Sequence, residues 1–341
     1  MGMVSLSPGQ LAWTATAGAA LGGALTPAAR ALLARRGVLD HPNHRSSHEV
    51  PTPRGGGLAV AIAASVAVAV SGVTDGERWV LLVTAGLFGL VGLAEDVHPW
   101  PPLTRLVAQT VLAAAVVAPV LHGLGGPLLW RVVAGLATLV WLVGWTNIFN
   151  FMDGINGIAG AQIVAAGGTW TYLGIQSGHP VLAVSGLAVA AAACGFLPFN
   201  FPAAQIFLGD VGSYFVGAWL AVVAVFALRD GLPPEAVLAP LSVFGADAAW
   251  TLARRVGRGE VWYEAHRSHV YQRLTDLGWS HPRVTSLVAG LMAVLSLLGL
   301  VSLTGSAGLR AAADVGGLIL LAGYLASPAW LARRLPAMES A

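Results

Sequence analysis

The polar residues of this chain are few, and they gather in five short segments. The most telling is Asn147-Ile148-Phe149-Asn150-Phe151-Met152-Asp153-Gly154-Ile155-Asn156-Gly157. Asn147, Asn150, Asp153 and Asn156 recur every three residues, so on a helix each touches the next across one turn and the four line a polar stripe. Such side chains at the end of an apolar run are costly unless they meet a ligand, an ion or one another. Helix capping and interhelical hydrogen bonds account for two of them more readily than for four. Gly154 and Gly157 add places where the backbone can open and a ligand approach. In Phe207-Leu208-Gly209-Asp210-Val211-Gly212-Ser213, one carboxylate stands between glycines just ahead of an apolar stretch. It reads either as an N-cap-like residue or as a point where a metal and a diphosphate come close to the backbone, with Ser213 and the helix start offering donors to phosphate.

The third segment is Glu95-Asp96, followed by Arg105. Adjacent carboxylates repel unless a cation lies between or beside them, and Mg2+, or Mn2+, is a hard ion suited to such oxygens. A solvated loop with an exposed acid pair is the plainer reading. The last two segments are basic. Residues 35–56 carry Arg45, His48 and Arg54 and run into Gly55-Gly56-Gly57, a composition able to cradle phosphate through guanidinium forks and backbone N–H groups. In His266-Arg267-Ser268-His269-Val270-Tyr271-Gln272-Arg273-Leu274, helical spacing would put His266, His269 and Arg273 on one face. Zinc competes with phosphate for the two histidines, but no cysteine or third ligand stands at a suitable spacing, which favours phosphate.

The elements that hold these segments follow from composition. Of 341 residues 56% are hydrophobic and only 10% charged, with a mean hydropathy of +0.72, which excludes an ordinary soluble domain. The pattern is that of an all-α, polytopic membrane protein. Apolar runs at 10–34, 57–73, 79–95, 103–121, 129–148, 158–177, 181–198, 213–228, 236–253, 284–304 and 312–332 predict about 11 transmembrane helices in a single unit, 1–341. The 43 glycines suit helices that pack through small residues. Cys194 is the only cysteine, so intrachain disulfides are excluded. The first run lacks the basic n-region of a signal peptide and reads as a true span.

All 18 basic residues are arginines. With residues 35–56 placed in the cytoplasm, Arg35, Arg36, Arg45, Arg54, Arg105, Arg254, Arg255, Arg258, Arg267, Arg273, Arg283, Arg333 and Arg334 lie inside, against Arg78, Arg131, Arg229 and Arg310 outside. That imbalance predicts an amino terminus outside and a cytoplasmic carboxyl terminus. The unusual polar loops (35–56, 94–102, 147–157, 199–212, 254–283) then share the cytoplasmic face, as one substrate site would require. Nucleic-acid binding is not expected. A transporter for an anionic solute is the alternative, but it would need polar residues continued through mid-membrane, and no internal repeat is visible.

Together the five segments resemble the polyprenyl-phosphate N-acetylhexosamine-1-phosphate transferases, glycosyltransferase family 4, over roughly residues 30 to 285. The match is carried by the acidic pair, by Asn-x-x-Asn-x-x-Asp-Gly-x-Asn-Gly, by Gly-Asp-x-Gly-Ser and by the late histidine-containing loop, in that order. The resemblance implies transfer of a sugar 1-phosphate from a UDP-N-acetylhexosamine to a membrane polyprenyl phosphate with release of UMP, in the plasma membrane and facing the cytoplasm. It implies that Asp210 and Asn150 hold Mg2+ on the diphosphate, and that Asp96, with Glu95, lies near the acceptor phosphate as orienting group or proton acceptor. Asp153 and Asn156, with Asn147 on the same stripe, would bind the nucleotide. His266, Arg267 and His269 would bind phosphate or sugar, and Arg45, His48 and Arg54 the same anionic region. It also leaves room for a homodimer. Glu95 and Asn156 stand where the family usually has Asp. The late loop lacks the consecutive histidines of the branch that transfers a muramoyl-pentapeptide phosphate. Its Tyr271-Gln272-Arg273-Leu274 ending looks like the branch that initiates O-antigen, capsule or other envelope glycans.

Overall fold

The computed structural model describes residues 6–42, 50–261 and 267–334. The chain is almost wholly helical. Helix α1 (Pro8–Arg36) opens on a capping box, in which Ser7 and Gln10 satisfy each other's backbone N–H, and stops at Gly37 in the left-handed conformation. Strands β1 (Leu39–Asp40) and β2 (Thr52–Pro53) pair antiparallel. Then come α2 (Gly57–Ala69), α3 (Glu77–Val97), α4 (Pro102–Val120), α5 (Leu128–Met152), α6 (Ile158–Ser177), α7 (Pro180–Asn200) and α8 (Gly209–Arg229). A short α9 (Pro234–Leu238) continues through one 3-10 turn into α10 (Ser242–Gly257). Helices α11 (Val270–Asp276), α12 (His281–Leu300) and α13 (Ala307–Ala332) complete the described chain.

Each apolar run of the sequence is helical, and only 236–253 is broken, by the 3-10 turn between α9 and α10. Among the described residues, nine helical segments are long and apolar enough to cross a membrane, so the chain is a multi-pass membrane protein. Two of the eleven predicted spans fall short of that measure. Helix α2 has 13 residues, roughly 20 Å of rise against a core of about 30 Å. Helix α6 is 20 residues long but carries Gln162, Thr169, Thr171 and Gln176, which dilute its apolarity.

Helix α8 is the axis of the bundle: 17 of its 21 residues are buried, against three of 26 in α13. A helix apolar all round belongs in the centre, whereas α13 turns most of its surface to lipid. Helices α2, α3 and α5 pack against α8, and α1 lies along α7. There Gly22 of α1 meets the Ala192 carbonyl so closely that a Cβ would come within 2.5 Å of it, the small-residue packing expected of membrane helices.

Two sequence expectations are corrected by helix ends. The asparagine stripe is not one helix, because α5 ends at Met152 and residues 153–157 form an irregular turn. Likewise α11 begins only at Val270, so His269 is its N-cap residue rather than part of a histidine face. His266 lies outside the described residues, as do Arg45 and His48.

Candidate active site

The polar centre forms where the end of α3, the end of α5 and the start of α8 meet. Helix α3 crosses α8 at Gly92, where a Cβ would sit 2.1 Å from the Asp210 carbonyl oxygen, so only glycine permits the approach. That contact brings Asp96, one turn on, over the start of α8. Its carboxylate accepts the backbone N–H groups of Asp210 (3.0 Å) and Val211 (2.8 Å). Asp96 thus caps a helix from another element, and two N–H groups expected to be available to phosphate are occupied by a protein carboxylate.

Arg54 reaches the same point from β2. Backbone bonds join Phe207 N–H to the Pro53 carbonyl (2.9 Å) and the N–H groups of Gly56 and Gly57 to the carbonyls of Phe207 (2.8 Å) and Leu208 (2.7 Å). This pairing sets the Arg54 guanidinium between two acids: its Nε lies 2.6 Å from Asp96 Oδ1, and its Nη2 donates to Asp210 Oδ2. Gly209, at φ +77°, permits the crossing, since a Cβ there would meet Gly55 N at 2.6 Å. On the other side of Asp210, the Asn150 amide donates to Asp210 Oδ1 and to Ser213 Oγ, both at 2.8 Å. Burial alone would weaken the Arg54 charge, but Asp210, Asp96 and Asp40 more than offset it and hold the guanidinium protonated.

Among the described residues Glu95 and Asp96 pair with different arginines. One residue of helical rotation sends Glu95 to Arg105 (3.1 Å) and the Tyr214 hydroxyl (3.5 Å), so each acid has its own arginine. The mutual repulsion inferred from adjacency is relieved in this way.

Asn147 also turns away, its amide donating to Gln109 of α4 and to the Val143 carbonyl (2.8 Å). Asn156 donates to the Pro202 carbonyl (3.1 Å). Gly154 and Gly157 are packed by protein side chains: a Cβ would meet the Tyr271 hydroxyl at 2.1 Å and the Phe201 ring at 2.6 Å, respectively. Of the predicted stripe, only Asn150 touches Asp210.

Asp153 is half-buried, and no hydrogen bond or ion pair engages its carboxylate among the described residues. Burial, then the charges of Asp210 and Asp96, push its pKa from 3.8 to about 7, with Arg54 pulling the other way. His269 is buried, its Nδ1 3.0 Å from Asp247, and Arg267 pairs with Asp276 at 3.0 Å. The sequence reading missed Asp247, although a lone acid in an apolar run was signal enough. It also missed Tyr271 as a clamp, whose hydroxyl donates to the Phe151 carbonyl at 3.0 Å.

Among the described residues no group of three or more His, Cys, Asp or Glu side chains is placed to hold a metal. Mg2+, however, is commonly held by one or two carboxylates together with substrate phosphates and water. Two acids converging on one cationic group, beside an amide and a hydroxyl, supply hard oxygen donors, so the residues fit such an ion.

Glycosyl transferase family 4 matches residues 78–228, the stretch that contains Asp96, Asn150, Asp153 and Asp210. A probable undecaprenyl-phosphate N-acetylglucosaminyl 1-phosphate transferase of Bacillus subtilis is 28% identical over 77% of this chain and 76% of its own. A decaprenyl-phosphate N-acetylglucosaminephosphotransferase of Mycolicibacterium smegmatis is 31% identical over 76% of this chain and 74% of its own. A phospho-N-acetylmuramoyl-pentapeptide-transferase of Latilactobacillus sakei is 31% identical over 52% of this chain. The chain belongs to the polyprenyl-phosphate N-acetylhexosamine-1-phosphate transferases.

Proposed function

We propose that this protein transfers N-acetylhexosamine 1-phosphate from a UDP-sugar to polyprenyl phosphate, giving polyprenyl-diphosphate-sugar and UMP, as the first step of an envelope glycan. An oxygen of the acceptor phosphate attacks the sugar-bearing phosphorus of the UDP-sugar, and the bond to UMP breaks. Two anions must meet, so the work of the site is to neutralise charge and align the reactants rather than to generate a strong nucleophile. The observation that carries this reading is the meeting of Asp96, Arg54 and Asp210 at one point, supplied by three separate segments.

Asp210 and Asn150 would hold Mg2+, which supplies positive charge to the diphosphate when bound. Asp96, with its oxygens on the start of α8 and on Arg54, serves as the orienting group. Arg54 can turn its fork from carboxylates to phosphate, and Asp153 and Asn156 would contribute to the nucleotide pocket. We place the site on the cytoplasmic face of the plasma membrane, with eleven spans and the amino terminus outside.

The test is UMP release by purified protein given a panel of UDP-sugars, Mg2+ and polyprenyl phosphate. UDP-N-acetylglucosamine should support turnover. Asp210→Asn should remove nearly all of it, on the order of a hundredfold or more, without unfolding the protein. Near-normal turnover of that variant would take Asp210 out of the metal site. No UMP from any UDP-sugar would overturn the function.

A further inference from the structure

Asp247 is fully buried on α10, a membrane helix, and lies outside the cluster around Asp210. A buried carboxylate is costly unless donors surround it, and here they come from three elements. The backbone N–H groups of Val270 (3.0 Å) and Tyr271 (3.4 Å) at the start of α11 point at it. His269 Nδ1 lies at 3.0 Å, the Tyr324 hydroxyl of α13 at 2.8 Å and Thr251 Oγ1 at 3.2 Å.

What Asp247 holds has a second end in the active site. Tyr271, fixed through its N–H, donates its hydroxyl to the Phe151 carbonyl and packs on Gly154, the two positions that flank Met152 and Asp153. Burial, with Asp247 and Asp153 nearby, raises the Tyr271 pKa well above its ordinary value and keeps the phenol a donor. Arg267 stands two residues ahead of His269 on the same strand of chain. One buried acid therefore links α10 and α13 to the late basic loop and to the turn that carries Asp153.

We propose that Asp247 is a positioning residue: it docks α11 so that the late loop and the Asp153 turn are held in register for the sugar nucleotide. The proposal rests on the transferase reading of the same site. It assigns Asp247 to binding of the nucleotide rather than to the chemical step.

Two measurements on the full chain test it. Hydrogen exchange needs no substrate. Asp247→Asn should speed exchange of the 267–275 amides by at least about tenfold, the size of one lost hydrogen bond to a charged group, and should loosen 151–157 as well while α8 stays protected. In turnover, KM for the UDP-sugar should rise by a similar factor while kcat and the KM for polyprenyl phosphate hold. Tyr324→Phe removes one donor and leaves the carboxylate, so it should show the same pattern at a few-fold scale even if Asp247→Asn folds poorly. Uniformly faster exchange across the bundle, unchanged exchange at 151–157, or lowered kcat at constant KM in Tyr324→Phe would overturn the proposal. If the wild type turns over no UDP-sugar, the transferase reading fails while hydrogen exchange still decides the role of Asp247.

Discussion

Arg54 is the only cationic group seen between Asp96 and Asp210 among the described residues, so its removal leaves two close acids without a counter-charge. Breaking such a pair from one side costs about 3 to 5 kcal/mol when fully buried and less at the partial exposure found here. Arg54→Gln should therefore lower the melting temperature, and added Mg2+ should restore more stability to the variant than to the wild type. Equal Mg2+ responses would mean that the ion and the guanidinium do not compete for the same oxygens. Asp153 gives a prediction of opposite sign. Its folded pKa of about 7 lies above its ordinary 3.8, so the unfolded chain releases this proton first as pH rises. Stability is then lost between about pH 4 and pH 7. Asp153→Asn should melt higher than the wild type at pH 8, with the gap closing as pH falls toward 4. A gap that persists at pH 4 would assign the effect to packing.

At the scale of elements, the α3–α8 crossing decides whether the acids meet. A methyl group at Gly92 would lie 2.1 Å from the Asp210 carbonyl, whereas one at Gly86 of the same helix would meet nothing within 4 Å. Gly92→Ala should cost at least about 1 to 3 kcal/mol and abolish UMP release by spreading Asp96 from α8, while Gly86→Ala should be neutral on both counts. A loss at Gly86→Ala as large as that at Gly92→Ala would show that the crossing does not set the outcome, since helix propensity alone favours alanine. The helices themselves were legible, since the apolar runs of the sequence fold as helices near their expected bounds, apart from 236–253, which is broken by a 3-10 turn between α9 and α10. The four-residue asparagine stripe was not, because spacing by three continues in the sequence past the point where α5 ends at Met152. Arg54 looked no better supported than Arg45 or His48. What distinguishes it is the backbone bridge of Arg54 with Phe207 at the end of β2, a contact across some 150 residues that no local pattern encodes. Asp210 and Asn150 were legible together as polar residues at helix ends, and the structure joins them directly.

For the whole molecule, the hydrogen bonds at the centre require the end of α3, the end of α5 and the start of α8 to share one side. Tyr271 ties the late loop to that side as well. With Cys194 replaced by alanine, cysteines at Asp40 and Glu260 should react only from the cytoplasm, and one at Gly125 only from outside. Labelling at position 260 from outside would overturn the orientation drawn from the arginine imbalance.

The pairing of the segment 53–57 with residues 207 and 208 also bears on the order in which the protein is made. Arg54 leaves the ribosome about 150 residues before Asp210, an interval of roughly 10 to 30 s at common synthesis rates. Through that time α1, α2 and α3 can enter the bilayer, yet Asp96 has no helix start to cap and Gly92 has no partner to cross. Insertion of α8 is therefore the event that gathers the charges, and a nascent chain lacks the assembled polar centre until its central helix arrives.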